Sequence, residues 1–349
     1  MFCQPPLTNV SHGDIIEKPA SETNPVFKLK ESVYDMEIKK ERLLSRTWAV
    51  AVIAFICSAL WGSAFSGVKT GYERFGTDTS DWKSQMVFAG IRFAIAGLMA
   101  IAAASITRRK VIIPSKAAFP KVMKISLFQT ILQYFFYYIG LAHTTGTKAA
   151  IIVAANVFTA ILISSLIYKT ESLTVRKILG CIIGFSGIVL INLGGLSGSS
   201  GFSFFGDGYI FLCTIASGFS SVLMKRYSAS EDPVMLSGYQ FLFGGLVMWF
   251  VGAISGGHLG TVNTGSITIL LYLSFVSAAA YSLWAVLLKY NPVSKVAVFG
   301  FMNPICGVII SAIVLGETGA FGLKGIVSLL LVCAGIYIVN RNNTAVTAE

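Results

Sequence analysis

The sequence predicts an all-α membrane protein, with ten transmembrane helices laid out as two inverted repeats of five. Three observations predict it. Of its 349 residues, 54% are hydrophobic and 12% charged, about half the ~25% charged fraction of soluble domains, and the mean hydropathy is +0.72. Apolar stretches near the ~20 residues that a helix needs to cross a bilayer recur ten times. Their approximate bounds are 48–69, 84–105, 122–142, 147–168, 177–195, 207–226, 233–254, 267–288, 295–315 and 322–340. Finally, a long block of sequence occurs twice, which marks one structural unit made twice.

The block first runs from Thr147 through Lys148-Ala149-Ala150, Asn156, Tyr168, Glu171 and Gly180 to Asn192. It returns from Ser294 through Lys295-Val296-Ala297, Asn303, Leu315, Glu317 and Gly325 to Asn340. Lys148 and Lys295 stand 147 positions apart, as do Asn156 and Asn303, and Asn192 and Asn340 stand 148 apart. Span 2, Gly90-Ile91-Arg92-Phe93 onward to Leu98, matches span 7, Gly238-Tyr239-Gln240-Phe241 onward to Leu246, again at 148. Spans 1 and 6 correspond more faintly, through Ser63 with Ser220 and Lys69 with Arg226. Residues 47–195 therefore form the first repeat and 206–340 the second. Five spans is an odd number, so the second repeat is expected upside down relative to the first. Inverted repeats are the architecture of many carriers that expose a mid-membrane site to one side and then the other.

Taken in order, residues 1–46 carry Pro5, Pro6, Pro19 and Pro25 and then mixed charge, and read as a disordered cytoplasmic tail. No charged, apolar and small-residue series marks a cleaved signal, so insertion is expected to start from span 1. Cations follow every second span: Arg108, Arg109, Lys110 and Lys116 after span 2, Lys169, Arg176 and Lys177 after span 4, Lys225 and Arg226 after span 6, Lys289 and Lys295 after span 8. The alternate loops are cation-poor, so the positive-inside rule puts both termini, including the tail 341–349, in the cytoplasm. The net charge of +11 thus reports topology and not nucleic-acid binding. Six scattered cysteines without paired spacing imply neither a disulfide framework nor a metal site. No GxxxxGK[ST] loop is present, and His12, His143 and His258 are too dispersed for a triad.

At Leu60-Trp61-Gly62-Ser63-Ala64-Phe65 in span 1, at an arginine among small residues in span 2, and at Leu315-Gly316-Glu317 before a glycine-rich last span, the chain resembles the EamA family of the drug/metabolite transporter superfamily. The resemblance covers residues 48–340 and implies a ten-helix inverted-repeat carrier. Its central cavity would be lined by helices 1–4 and 6–9, with helices 5 and 10 peripheral. Two departures stand out. Asn156-Val157 replaces a proline often found in the family's span 4, whereas Asn303-Pro304 keeps one in span 9, and Gly218 stands where span 1 has Trp61.

Several side chains are candidates for a substrate site. Arg92 is the one charge well inside a predicted span, a placement costing about 2.5–3.5 kcal/mol on insertion scales, so it must face protein or a watery cavity. It could grip a carboxylate or phosphate with two hydrogen bonds, or serve packing alone. Gln240 is its repeat counterpart. Gln129, Gln133 and Tyr137 follow at i, i+4 and i+8 on one expected face of span 3, and Ser277, Tyr281 and Trp284 on one face of span 8. With Trp61 and Ser63 they suit a small polar solute, or act as interhelical glue. Asn156 and Asn303 are mid-helix amides, the second beside a proline that frees a carbonyl and offers a hinge. Lys148 and Lys295 open spans 4 and 9, either facing opposite mouths of a cavity or snorkelling to lipid phosphate. Glu171 and Glu317 end those spans and are expected to cap the next helix.

No Asp or Glu falls inside a span, which leaves a proton relay without an obvious residue. The expectation is a membrane carrier of small anionic or zwitterionic metabolites such as amino acids, working in export, with no cofactor. Its partners would be a small-molecule substrate and the lipid bilayer, not nucleic acid, with a homodimer left open. A nucleotide-sugar or sugar-phosphate exchanger is the alternative within the superfamily. A non-transporting receptor or scaffold is the alternative outside it, and an intramembrane enzyme lacks the gathered acid, base or nucleophile it would need.

Overall fold

The structure, a computed structural model, describes residues 42–170, 172–193, 202–291, 296, 298–317 and 322–340. The tails at 1–41 and 341–349, Glu171 and Lys295 lie outside the described residues. Two units are distinguished, Met1–Arg46 and Thr47–Glu349. The first is described only at 42–46, where 42–44 are helical; everything below concerns the second.

The helices are α1 (Thr47–Phe75), α2 (Trp82–Arg108), α3 (Phe119–Ala142), α4 (Gly146–Ile167), α5 (Val175–Asn192), α6 (Phe204–Tyr227), α7 (Pro233–Ile254), α8 (Thr264–Tyr290), α9 (Val298–Phe301 continued by Met302–Leu315) and α10 (Leu323–Asn340). Among the described residues, nine helices are long and apolar enough to cross a membrane, and Phe299–Leu315 is a shorter apolar helix. The turns start helices with side chains that accept from otherwise orphaned backbone N–H groups. Asp81 accepts from Ser84 N, Thr145 from Lys148 N, Thr174 from Lys177 N and Asp232, followed by Pro233, from Met235 N. Asn263 and Ser266 form a reciprocal capping box for α8.

The most extensive packing is α2 on α7 and α5 on α10, followed by α1 on α8 and α9, α3 and α4 on α6, α2 on α8, α3 on α7 and α4 on α9. Exchanging each helix for the one five places along leaves this set of neighbours unchanged. Three of these contacts, α2–α7, α5–α10 and α4–α9, map onto themselves, and the first two run antiparallel. Gly90 lies against Gly245 and Trp249, while Gly97 lies against Leu242 and Gly238. A methyl group on Gly97 would sit 2.5 Å from the Leu242 backbone nitrogen and 2.7 Å from the Gly238 carbonyl oxygen, so only glycine lets the two backbones touch. In the same way Gly180 meets Gly335 and Gly187 meets Ser328.

Three helices contain π-helical turns, at Ser126–Leu132 in α3, Ile163–Ile167 in α4 and Phe204–Gly208 in α6. α4 also breaks at Ala154–Ala155, where Ala155 N donates to Ile152 O and Val157 N to Ala154 O in tightened turns. α9 changes from 3₁₀ to α geometry at Phe301–Met302, just before Asn303-Pro304. The break therefore occurs in both helices although only one has a proline.

One end of the bundle carries Arg108, Arg109, Lys110, Lys121, Lys124, Lys225 and Arg226; the other is cation-poor. Among the described residues, apolar packing at the basic end is divided. Val50, Ala54, Leu287 and Val296 of α1, α8 and the approach to α9 make one cluster. Val122, Ile125, Leu223, Met235 and Leu236 of α3, α6 and α7 make another. A single larger cluster takes in residues of all ten helices and reaches as far as Val339 near the end of α10.

Candidate functional site

At the centre, equivalent residues of the two repeats meet. Phe93 stacks on Phe241 with centroids 5.3 Å apart and planes at 16°. Tyr134 and Tyr281, 147 positions apart, share a hydroxyl–hydroxyl hydrogen bond of 3.3 Å. Trp61 packs its ring 5.4 Å from Tyr281 and 5.3 Å from Trp284, Phe65 lies 5.8 Å from Tyr137, and Phe241 lies edge-on to Tyr281 at 4.9 Å. An aromatic wall thus joins α1, α2, α3, α7 and α8.

Arg92 is buried behind this wall. Its Nη1 donates to the Tyr138 hydroxyl at 2.6 Å, Nη2 to Ser277 Oγ at 2.9 Å and Nε to the Leu273 carbonyl at 3.2 Å. The guanidinium carbon is 4.7 Å from the Phe93 ring centre. Tyr72 fixes the far side by donating to the Tyr138 carbonyl. All these partners are neutral, and among the described residues no carboxylate pairs with Arg92. Gln240 is also fully buried; its Oε1 accepts from Thr130 Oγ1, and its carbonyl accepts from Ser126 Oγ.

Several buried polar atoms on these and neighbouring helices have no hydrogen-bond partner among the described residues, among them Trp61 Nε1, Gln129 Oε1, Gln133 Oε1, Gln240 Nε2 and Asn303 Oδ1. Native interiors leave few such groups unsatisfied, and a polar solute or water would complete them. The predicted α3 face is wider than expected. The π-helical turn at Ser126–Leu132 adds a residue to the turn, so Tyr134, five places after Gln129, joins Gln129 beside the Tyr281 hydroxyl. Gln133 and Tyr137 still face protein, Tyr137 being 6% exposed. Spacing alone gave no sign of Tyr134 or Tyr138; the repeat register, which pairs Tyr134 with Tyr281, carries that signal.

Other predicted residues lie elsewhere. Ser63 is bonded to the hydroxyl of Tyr272, a residue 39% exposed on the outer surface of the bundle. Asn156 opens the second segment of α4, half-buried, with its carbonyl accepting from Thr159 Oγ1.

Three expectations are corrected at the cation-poor end. Lys148 does not snorkel: it is 5% exposed, and its Nζ donates to Asp207 Oδ2 at 2.6 Å. A buried carboxylate does exist, because the π-helical turn that opens α6 draws Asp207 inward to 1% exposure. There Thr144 Oγ1 and Ser203 N also donate to it, at 2.6 and 2.9 Å. Glu317, expected to cap the next helix, is bonded among the described residues to the start of α4, accepting from Gly146 N at 2.9 Å and Thr147 N at 2.7 Å. In the adjacent turn before α2, hydrogen bonds from the Ser80 hydroxyl and backbone N–H hold the Asp78 carboxyl below the usual carboxylate range.

A bundle of long apolar helices around a polar and aromatic interior defines a multi-pass membrane protein. The chain belongs to the EamA-like transporter family, which matches residues 47–193 and 204–341. Similar proteins include an uncharacterized transporter, YvbV, of Bacillus subtilis, 27% identical over 86% of this chain and 94% of its own length. Another uncharacterized transporter, of Archaeoglobus fulgidus, is 26% identical over 83% of this chain and 98% of its own. A chloroplastic WAT1-related protein of Arabidopsis thaliana is 25% identical over 58% of this chain, which spans about half, 50%, of the plant protein's length. One solved crystal structure superposes with a TM-score of 0.56 at 17% identity over 83% of this chain and 96% of that one, a likeness of fold alone. The protein is accordingly an integral, multi-pass membrane transporter and not an enzyme.

Proposed function

We propose that the protein moves small anionic or zwitterionic metabolites, such as amino acids or their derivatives, across the inner or plasma membrane by alternating access, with export as the working direction. Two inverted repeats of five membrane-crossing helices would rock about the Phe93–Phe241 and Tyr134–Tyr281 contacts. The exchange symmetry of the helix neighbours and the antiparallel run of α2 on α7 and of α5 on α10 support that arrangement. The basic end would face the cytoplasm, with both termini.

One observation carries the choice of solute. Among the described residues, Arg92 is a buried cation bonded only to neutral oxygens, beside amides and an indole N–H whose hydrogen-bonding capacity is unused. An interior with a surplus positive charge attracts an anion and repels a cation, and a low local dielectric strengthens both effects. Because Arg92 is held by Tyr138, Ser277 and Leu273, its field reaches the solute across the aromatic wall, while Gln129, Gln133, Trp61 and Asn303 supply the direct hydrogen bonds. Lys148 is already neutralised by Asp207, which disfavours a sugar-phosphate exchanger relying on that lysine.

The test is uptake and counterflow in proteoliposomes against a pooled metabolite library, comparing the wild-type protein with Arg92→Gln. Accumulation of one acidic or zwitterionic class, lost in the folded variant, is the expected result. Movement of cationic solutes, or of none, would sink the reading.

A further inference from the structure

We propose that Glu317 is a clasp holding the cation-poor end of the bundle shut, and that its release from α4 is a required step of the transport cycle. The inference rests on the carrier reading for its place in a cycle, but the clasp itself stands on geometry.

The chain delivers Glu317 deliberately to this place. α9 ends at Gly316, whose φ of +68° is a left-handed conformation suited to glycine, and the turn sends the next side chain back over the start of α4. There both carboxylate oxygens accept, one each from the Gly146 and Thr147 amides. The remaining first-turn amides are served locally, Lys148 N by Thr145 Oγ1 and Ala149 N by Thr145 O. The local cap starts the helix; the carboxylate from 170 residues away joins α4 to α9.

Around this contact the same end is tied repeatedly. Lys148 and Thr144 hold Asp207 at the start of α6. Thr261 N donates to Phe75 O at the end of α1, and His258 N to Ser84 Oγ of α2. Below the clasp α4 and α9 stay in contact, with a Cβ on Gly146 reaching 2.8 Å from Ser311 Oγ and one on Gly307 reaching 2.7 Å from Ala150. Both helices then break, at Ala154–Ala155 and at Phe301–Met302. Past those breaks two small apolar clusters, of α1, α8 and α9 and of α3, α6 and α7, stand apart from the large one, and among the described residues a Cβ on Gly300 would meet nothing within 4 Å. At the cation-poor end polar ties join α4 to α6 and α9. At the basic end, among the described residues, Arg108 and Lys121 bond Asp232 and Glu231 of the α6–α7 turn, while the α1–α8–α9 cluster stands apart, an asymmetry of the kind a rocking bundle passes through.

The clasp is suited to a two-state device because its groups have water as their alternative partner. Closed, the Glu317 carboxylate and the buried Gly146 and Thr147 amides satisfy one another; parted, each is hydrated. The charged acceptor and the positive end of the helix make the closed bond stronger than a neutral one.

Hydrogen–deuterium exchange of the full chain in lipid nanodiscs tests it without any solute. In Glu317→Ala, exchange is expected to rise about tenfold at residues 146–150 and also at 203–208 and 257–263, and to slow at 298–303 as the basic end closes. Glu317→Gln, which keeps one acceptor oxygen, falls between. A rise confined to Gly146 and Thr147 would make Glu317 an ordinary cap, and no rise would remove even that; either overturns the clasp. Protection of the α2–α7 contact in both variants reports that the fold is retained. If the coupled rise is seen in a protein that moves no solute, the clasp stands and the carrier reading falls. Transport at the wild-type rate by Glu317→Ala, with exchange unchanged, removes the clasp alone.

Discussion

Arg92 donates to Ser277 across the α2–α8 contact at 2.9 Å, and the equivalent pair in the other half of the protein, Gln240 and Thr130 across α7 and α3, is also bonded, with Thr130 Oγ1 donating to Gln240 Oε1. The backbone acceptor is exchanged between the halves: Arg92 Nε donates to the carbonyl of Leu273, whereas Ser126, the repeat equivalent of Leu273, donates its hydroxyl to the carbonyl of Gln240. Evolutionarily or physically, one position in each repeat ties two helices, and only one of the two is charged. Ser277→Ala leaves a buried guanidinium N–H without an acceptor, an expected loss of about 1–3 kcal/mol. Thermal unfolding in detergent measures it, and selectivity for anions should survive, because the charge remains. Arg92→Gln makes the halves alike and should abolish that selectivity.

The α2–α7 contact depends on Gly97. With the Leu242 nitrogen 2.5 Å from where a Cβ would stand, even Gly97→Ala forces two backbones apart along a helix pair. Overpacking of this kind costs about 1–3 kcal/mol, and here backbone rather than a flexible side chain must yield. Gly97→Leu should give no monodisperse peak on size-exclusion chromatography, and Gly97→Ala a lowered unfolding temperature. A Gly97→Leu protein with wild-type behaviour would mean the two helices pack differently.

How much of this was legible in the sequence follows from what each feature depends on. Apolar length and the repeat are properties of the chain itself, so the helices and the correspondence of Phe93 with Phe241 could be read directly. Tyr134 could be reached only through its repeat partner Tyr281, and Tyr138 not at all, because a π-helical turn shifts the register within α3 and defeats a count based on regular helical spacing. Asp207 was missed for a related reason: it lies at the edge of an apolar run, where hydropathy reads a solvated start, and only the folded turn at Ser203–Gly208 buries it. Glu317 and Gly146 are bonded across 171 positions, and no local pattern announces such a partner.

Tyr134 and Tyr281 should act as a coupled pair, since each is the other's equivalent and their hydroxyls meet. Tyr134→Phe and Tyr281→Phe keep the rings that pack on Phe93 and Phe241. Each alone is expected to cost about 0.5–1.5 kcal/mol, and the double variant less than the sum. Unfolding of all four proteins in one detergent closes the cycle. Additive losses would show that the 3.3 Å contact contributes nothing between the two repeats.

The Lys148–Asp207 pair makes a sharper demand, because both side chains are almost wholly buried, at 7% and 1% exposure. Removing one partner strands the other charge in a dry interior, a loss of about 3–5 kcal/mol, whereas replacing both with apolar groups of similar volume is near neutral. Lys148→Met and Asp207→Leu should therefore each lower expression and the unfolding temperature strongly, and the double variant should recover part of the loss, the remainder reflecting Thr144 Oγ1 and Ser203 N left without their acceptor. The pair also distinguishes a structural tie from a solute ligand. If Lys148 serves only Asp207, the stable double variant transports with an unchanged KM. A KM raised tenfold or more in that variant would show that the solute competes with Asp207 for the ammonium during the cycle.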